Sequence, residues 1–316
     1  MPSNATQGDG HFVADVEETP VGAVDSFDES SKVRTTWSDA WESMRSRPMF
    51  WISAVLILFV VIVAAFPQLF SQTDPARGCL LPDSNGAPEA GHPFGFTRQG
   101  CDVYARVIFG ARASLTVGLL ATILVTVVGT VLGAIAGYYG GWFDSILSRV
   151  GDIFFAIPTV LGAIVLMSVL PTRDPLTVAL VLSLFAWPQI ARIMRGAVLS
   201  AKNADYVQAS TALGVSRLQI LIRHVVPNAI NPVIVVATTS LGTLIVAEAT
   251  LSFLGIGLPT SIMSWGNDIG QARTSVQTAP MVLFYPAAAL SVTVLSFLLM
   301  GDVVRDALDP KARARR

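Results

Sequence analysis

Six stretches of this sequence, residues 48–73, 113–142, 153–172, 175–191, 224–247 and 274–301, contain no Asp, Glu, Lys or Arg. A helix of roughly 20 such residues crosses a bilayer core of about 30 Å. Each stretch is therefore suited to one crossing, with 175–191 the shortest. The whole chain agrees: of 316 residues, 52% are hydrophobic and 14% charged, too apolar a balance for an ordinary water-soluble domain. The fold class read from this is an all-α integral membrane protein with six transmembrane helices. A seventh run, 249–267, is broken by Gly255, Gly257 and Pro259. Its second half is expected to form a loop or re-entrant turn, because irregular backbone at membrane depth survives only where protein or water satisfies it.

Charge sets the orientation. With the N-terminus inside, most of the 21 Lys and Arg residues fall on one side of the membrane, among them Arg45 and Arg47, then Arg192, Arg195, Lys202, Arg217 and Arg223, then Arg305 and Lys311. The positive-inside rule then makes both termini and the segment 203–228 cytoplasmic. Residues 1–47 read as a disordered cytoplasmic tail, since 1–31 are acidic and lack Lys and Arg. Residues 48–73 are the first span and 74–112 an extracytoplasmic loop. Residues 113–301 form a five-helix core that includes 203–228, and 302–316 form a cytoplasmic tail. There, Asp302, Arg305, Asp306 and Asp309 are spaced for opposite charges to meet along a helical turn. Both cysteines, Cys79 and Cys101, lie in the outer loop. An oxidising exterior favours their disulfide, which the chain-entropy account values at about 3 kcal/mol. His92 is the only nearby histidine, so the sequence supports no metal site.

The segment 203–228 is longer than an ordinary connector of about four to six residues and carries apolar faces of its own. Tyr206, Ala209, Ser210 and Leu213 share one helical face, with Asn203 or Asp205 available as cap. Gly214 suits a left-handed helix end. Ser216 and Gln219 form a capping-box pair for a second helix, whose Leu218, Leu221, Ile222 and Val225 share a face. Pro227 is expected to end it.

Within the spans, Gly129, Gly133 and Gly137 form a small-residue stripe that admits a close neighbour, either in this chain or in a partner. Pro158 and Pro188 are expected to bend their helices. Glu248 is the one acid well inside an apolar run. It reads either as lining a translocation path or as making an interhelical hydrogen bond. No phosphate-binding G-x-x-x-x-G-K-[ST] loop exists, because Lys32, Lys202 and Lys311 each lack the preceding glycine. His11, His92 and His224 are nowhere four apart, which excludes an H-E-x-x-H zinc protease.

Four stretches together resemble the permeases of ATP-binding-cassette importers of the dipeptide and oligopeptide class. Gln208-Ala209-Ser210, Gly214 and Pro227 stand where that family has E-A-A, the glycine and the terminal proline of its cytoplasmic loop. His92, Gly95, Gly100, Asp102, Arg106, Gly110, Arg112, Ser114 and Leu115 match its outer motif, from which Phe96, Thr97 and Cys101 depart. TLSFLGIGLP with SWGNDI, and the ending GDVVRDALDP, match as well. The resemblance implies a type I importer permease fold in a bacterial plasma membrane. It implies a second permease, two ATPase subunits that bind the ATP and Mg, and an extracytoplasmic solute-binding protein, with no cofactor on this chain and no nucleic-acid partner. It further implies that Asp205, Tyr206, Gln208, Ala209, Ser210, Leu213 and Gly214 couple to an ATPase. The alternative is a secondary transporter or channel driven by an ion gradient, for which Glu248 would be the intramembrane charge.

Overall fold

A computed structural model describes residues 36–75, 77 and 79–308; the acidic stretch 1–31 and the basic end 309–316 lie outside the described residues. Regular structure among the described residues is helical, apart from two isolated bridges in the outer loop, Glu89 with His92 and Phe96 with Asp102. Five helices are long and apolar enough to cross a membrane, and a bent pair supplies the sixth span.

Helix α1 (Thr36–Arg45) precedes the first span, α2 (Pro48–Ala65). The sequence reading assigns 36–45 to a disordered tail, and here the structure differs. Ala40 is buried against Ala307 and Leu308, with Met44, one turn along the same face, packed beside it. Arg47 pairs with Asp306. The ion pair found on this last described turn is thus Arg47–Asp306, across the fold, rather than Asp302–Arg305 within it.

Helix α3 (Val103–Tyr139) starts ten residues before the expected second span, so 103–112 belong to it and not to the outer loop. Asp102 caps its start by accepting the Tyr104 N–H at 2.9 Å. The two arginines of this stretch have protein partners. Arg112 donates to the carbonyls of Ala64 and Ala65, both at 3.0 Å, and so satisfies the open C-terminal end of α2. Arg106 pairs with Asp268.

The third span is α4 (Gly141–Ala156) followed by α5 (Thr159–Val169), bent by 85° at the break. Pro158 sits at that break: it has no N–H to donate, and its ring displaces the preceding turn. Pro188 behaves differently, since α6 (Pro175–Ala201) runs through it uninterrupted. Asp174 caps α6 by accepting the Thr177 N–H at 2.7 Å, a bond that holds its carboxyl below the usual range.

The most extensive helix contact is between α3 and α6, and it settles the role of the glycine stripe. A methyl group at Gly129 would lie 2.6 Å from Ile190 Cβ, one at Gly137 2.8 Å from the Arg195 carbonyl oxygen, and one at Gly133 inside the contact radius of the Ala191 carbonyl oxygen. The stripe packs within this chain. Around the seam gathers the main core, with Val117, Val125, Leu182, Ile190 and Met194 almost wholly buried.

After α6 come α7 (Asp205–Ala212), α8 (Arg217–Ile220), a π-turn at Leu221–Val225 and α9 (Val226–Ala229). The fifth span α10 (Asn231–Phe253), the short α11 (Trp265–Ala272) and the sixth span α12 (Pro280–Leu308) complete the bundle. Helical winding continues past Pro227, where an ending was expected, and is interrupted at Ile230. The wider π-turn just upstream re-aims the carbonyls that the proline ring would otherwise strike. It also shifts the phase of the second loop helix. Leu221 and Val225 turn into the core with Ile220, while Leu218 and Ile222 remain exposed, so the four do not share one face.

Gly133→Val should destabilise the solubilised protein by about 2 kcal/mol or more, because the seam has no space for added carbon. Gly196→Ala, on α6 with nothing within 4 Å of the added carbon, should leave thermal unfolding in detergent nearly unchanged.

Candidate functional site

Three places carry the residues singled out by sequence: the α6–α10 connection, the outer end of α3, and Glu248 in mid-bundle.

In the connection, α7 is held by one side chain and offers the rest. Val207 is buried in the main core, whereas Tyr206, Gln208, Ala209 and Leu213 are exposed, Leu213 at 83%. Neither expected cap serves. The N-cap position is Ala204, Asp205 lies in the first turn without a capping bond, and Asn203 donates its amide back to the Leu199 carbonyl at 3.1 Å. Asp205 still lies where the helix dipole favours negative charge. Gln208 reaches back to donate to the Asn203 carbonyl at 3.1 Å, and Ser210 donates to the Tyr206 carbonyl at 2.8 Å.

The end of α7 is firmly built. Gly214 has φ +77°; its N–H donates to Thr211 O at 3.0 Å, and that of Val215 to Ser210 O at 3.2 Å. These two bonds and a left-handed glycine make a Schellman ending. Ser216 then caps α8, accepting the Gln219 N–H at 3.4 Å. The connection is therefore two capped helices with fixed ends, their buried side inserted into the bundle. Their free side bears exposed Tyr206, Leu213, Leu218 and Ile222, an apolar group of the kind that marks a docking surface.

At the N-terminal end of α3, Cys79 and Cys101 form a disulfide. It closes the loop one residue before the Asp102 cap, so the loop is tied directly to the start of α3. His92 Nδ1 lies 3.2 Å from the other Asp102 oxygen, and Phe94 stacks on Tyr285 of α12 at 3.8 Å. Below this, Arg106 Nε donates to Asp268 Oδ1 at 2.8 Å, a buried pair joining α3 to α11. Trp265 fixes the same junction through Nε1–H to the Val107 carbonyl at 2.9 Å and its backbone N–H to Ser114 Oγ at 3.2 Å. Sequence reasoning marked Arg106 by its motif and overlooked Asp268. The signal was a lone acid, Asp268, directly after the broken run 249–267.

Glu248 is fully buried. Ser252 Oγ donates to its Oε1 at 2.8 Å, and the hydroxyls of Ser114 on α3 and Ser264 before α11 face the same carboxyl, while Oε2 has no bonded partner. Glu248 is thus enclosed within this chain, and its hydrogen bond to Ser252 lies within α10.

Helices long and apolar enough to cross a membrane, a clamped start of α3 and a pair of exposed helices between α6 and α10 describe a multi-pass membrane protein. The comparisons give the family. The model described as "Binding-protein-dependent transport system inner membrane component" matches residues 129–314, and that of the N-terminal TM domain of oligopeptide transport permease C matches 35–88. The chain belongs to the family of inner-membrane permease components of binding-protein-dependent, ATP-binding-cassette importers. It is 36% identical over 297 residues to the oligopeptide transport system permease protein OppC of Bacillus subtilis (strain 168), covering 94% of this chain and 97% of that one. It is 37% identical over 282 residues to the glutathione transport system permease protein GsiD of Shigella flexneri serotype 5b, covering 89% and 93%. A solved chain of the MetNI methionine ABC transporter, in inward-facing conformations, matches with TM-score 0.49 at 20% identity, covering 64% of this chain and 96% of that chain.

Asp268→Leu should strand the Arg106 guanidinium in a buried site and destabilise the protein by about 3–5 kcal/mol. Adding Arg106→Met should restore most of that loss, as read by thermal unfolding of the solubilised protein.

Proposed function

We propose that this chain forms half of a translocation path for peptides and is driven through α7 and its Gly214 ending by an ATPase subunit. The observation that carries the reading is the free face of α7, an apolar surface on a helix whose far end is locked and whose near side is rooted in the core by Val207. A helix transmits displacement because its backbone bonds are internal and its rise is fixed at about 1.5 Å per residue. Force on Tyr206, Ala209 and Leu213 would then pass through Val207 into the main core. Asp205, Gln208 and Ser210 complete the coupling set. Gln208 can accept and donate hydrogen bonds but not an ion pair, so docking rests on shape and apolar contact.

In this reading the chain performs no catalysis and binds no cofactor; two ATPase subunits hold ATP and Mg. A second permease completes the path, and a solute-binding protein delivers cargo to the disulfide-tied outer loop. Both termini and the α6–α10 connection face the cytoplasm, supported by the Lys and Arg distribution. Peptide cargo is supported by relatives named for oligopeptide and glutathione transport. An ion-gradient mechanism would draw on Glu248, which is enclosed by its serine partners and not placed to exchange ions.

Gly214→Val should uncouple ATP hydrolysis from uptake in the assembled transporter, because a β-branched residue resists positive φ. Space is not at issue, since nothing lies within 4 Å of an added carbon there. Gly214→Asn, which tolerates the left-handed conformation, should retain most uptake. Equal uptake by the valine variant and wild type in membrane vesicles, at matched expression, would count against the coupling role.

A further inference from the structure

Gln189 stands near the middle of α6, and Thr243 near the middle of α10, and both are exposed. An amide turned toward lipid at mid-span has unpaired donors and acceptors, which hydrocarbon penalises by several kcal/mol. Water or another polar surface removes that penalty. The two residues share one place: with Ser240 of α10 and Thr159 at the α4–α5 break, they line a single cavity of about 360 Å³. The break adds a separate observation. Pro158 occupies the N-cap of α5 with no side-chain capping bond, so the first N–H groups of α5 lack helical partners beside this cavity. Backbone left open at membrane depth is tolerated where it lines a water-filled space. Phe154 and Phe185 supply aromatic wall, and no Asp, Glu, Lys or Arg lines the cavity.

We infer that this cavity is the chain's own wall of the translocation path, and that it handles solute through neutral hydrogen bonds and aromatic contact. Such a wall suits an amide-bearing solute whose charge varies from one molecule to the next. It does not suit a bare divalent cation, which calls for carboxylate, imidazole or thiolate ligands; among the described residues no such cluster exists. The inference rests on the permease reading above and replaces Glu248 with Gln189 and Thr243 as the path-facing polar groups.

The test uses the whole transporter, with its ATPases and binding protein, reconstituted in liposomes. Gln189→Cys and Thr243→Cys are treated with a charged, membrane-impermeant methanethiosulfonate reagent, with Leu58→Cys, exposed on α2, as the lipid-facing control. The native cysteines are already joined to each other. Both test positions should label about tenfold faster than the control, as expected of a wet path against hydrocarbon, and trialanine with ATP should slow them. Labelling as slow as at Leu58→Cys, with and without ATP, overturns the path wall. Gln189→Leu should lower trialanine moved per ATP hydrolysed by about tenfold, the scale of one lost buried hydrogen bond, with partial recovery in Gln189→Asn. An unchanged ratio overturns the role of Gln189. Fast labelling of both cysteine variants, together with a wild-type transporter that moves nickel ions and not trialanine, overturns the amide-solute assignment while leaving the permease reading in place.

Discussion

The close approach of α3 and α6 along Gly129, Gly133 and Gly137 is the contact on which the rest of the molecule depends. Glycine there lets the backbone of one helix meet side chains and carbonyls of the other, and the gain is dispersion between tightly fitted surfaces, since hydrocarbon lipid offers apolar helices little incentive to associate. Lys202 extends the seam by donating to the Gly137 carbonyl at 2.8 Å. The last turn of α6 is thereby fixed relative to α3, and α7 begins three residues further on. The position of the α6–α10 connection is set by this seam more than by the connection's own sequence.

At its other end α3 is fixed by unlike means. Asp102 caps it, the disulfide precedes the cap, Arg112 closes the end of α2, and Arg106 with Trp265 pins α11. These are polar and covalent ties, suited to a region near water where packing alone has few neighbours. Glu248 is buried nearby, accepting the hydroxyl of Ser252 on its own helix at 2.8 Å. Between the two fixed ends lies the α4–α5 elbow, where Pro158 interrupts the helix beside a cavity whose polar lining is Thr159, Gln189, Ser240 and Thr243.

Much of the plan was legible in sequence. Uncharged runs located the spans because a bilayer imposes a length and excludes unpaired charge. Gly214 announced a left-handed helix end because few other residues adopt one cheaply. Both cysteines fell in one outer loop and are bonded there. The misreadings share a cause. By sequence, residues 36–45 group with the acidic tail and 103–112 with the loop because the uncharged runs begin only at 48 and 113; in the fold, Arg106, Arg112 and Asp306 find protein partners distant in sequence. Pro227 looked like a stop because local rules do not foresee a π-turn that makes room for it.

Sequence by itself determined that this chain crosses a membrane about six times, with two capped helices between its fourth and fifth spans, since periodicity, caps and charge are local properties. Only the tertiary structure decided that the glycine stripe meets α6 and not another subunit, that Asp268 answers Arg106, and that Glu248 is enclosed while Gln189 is open to a cavity. Those outcomes depend on which faces of distant helices come together, and no local pattern encodes a pairing that is set by the shape of the whole bundle.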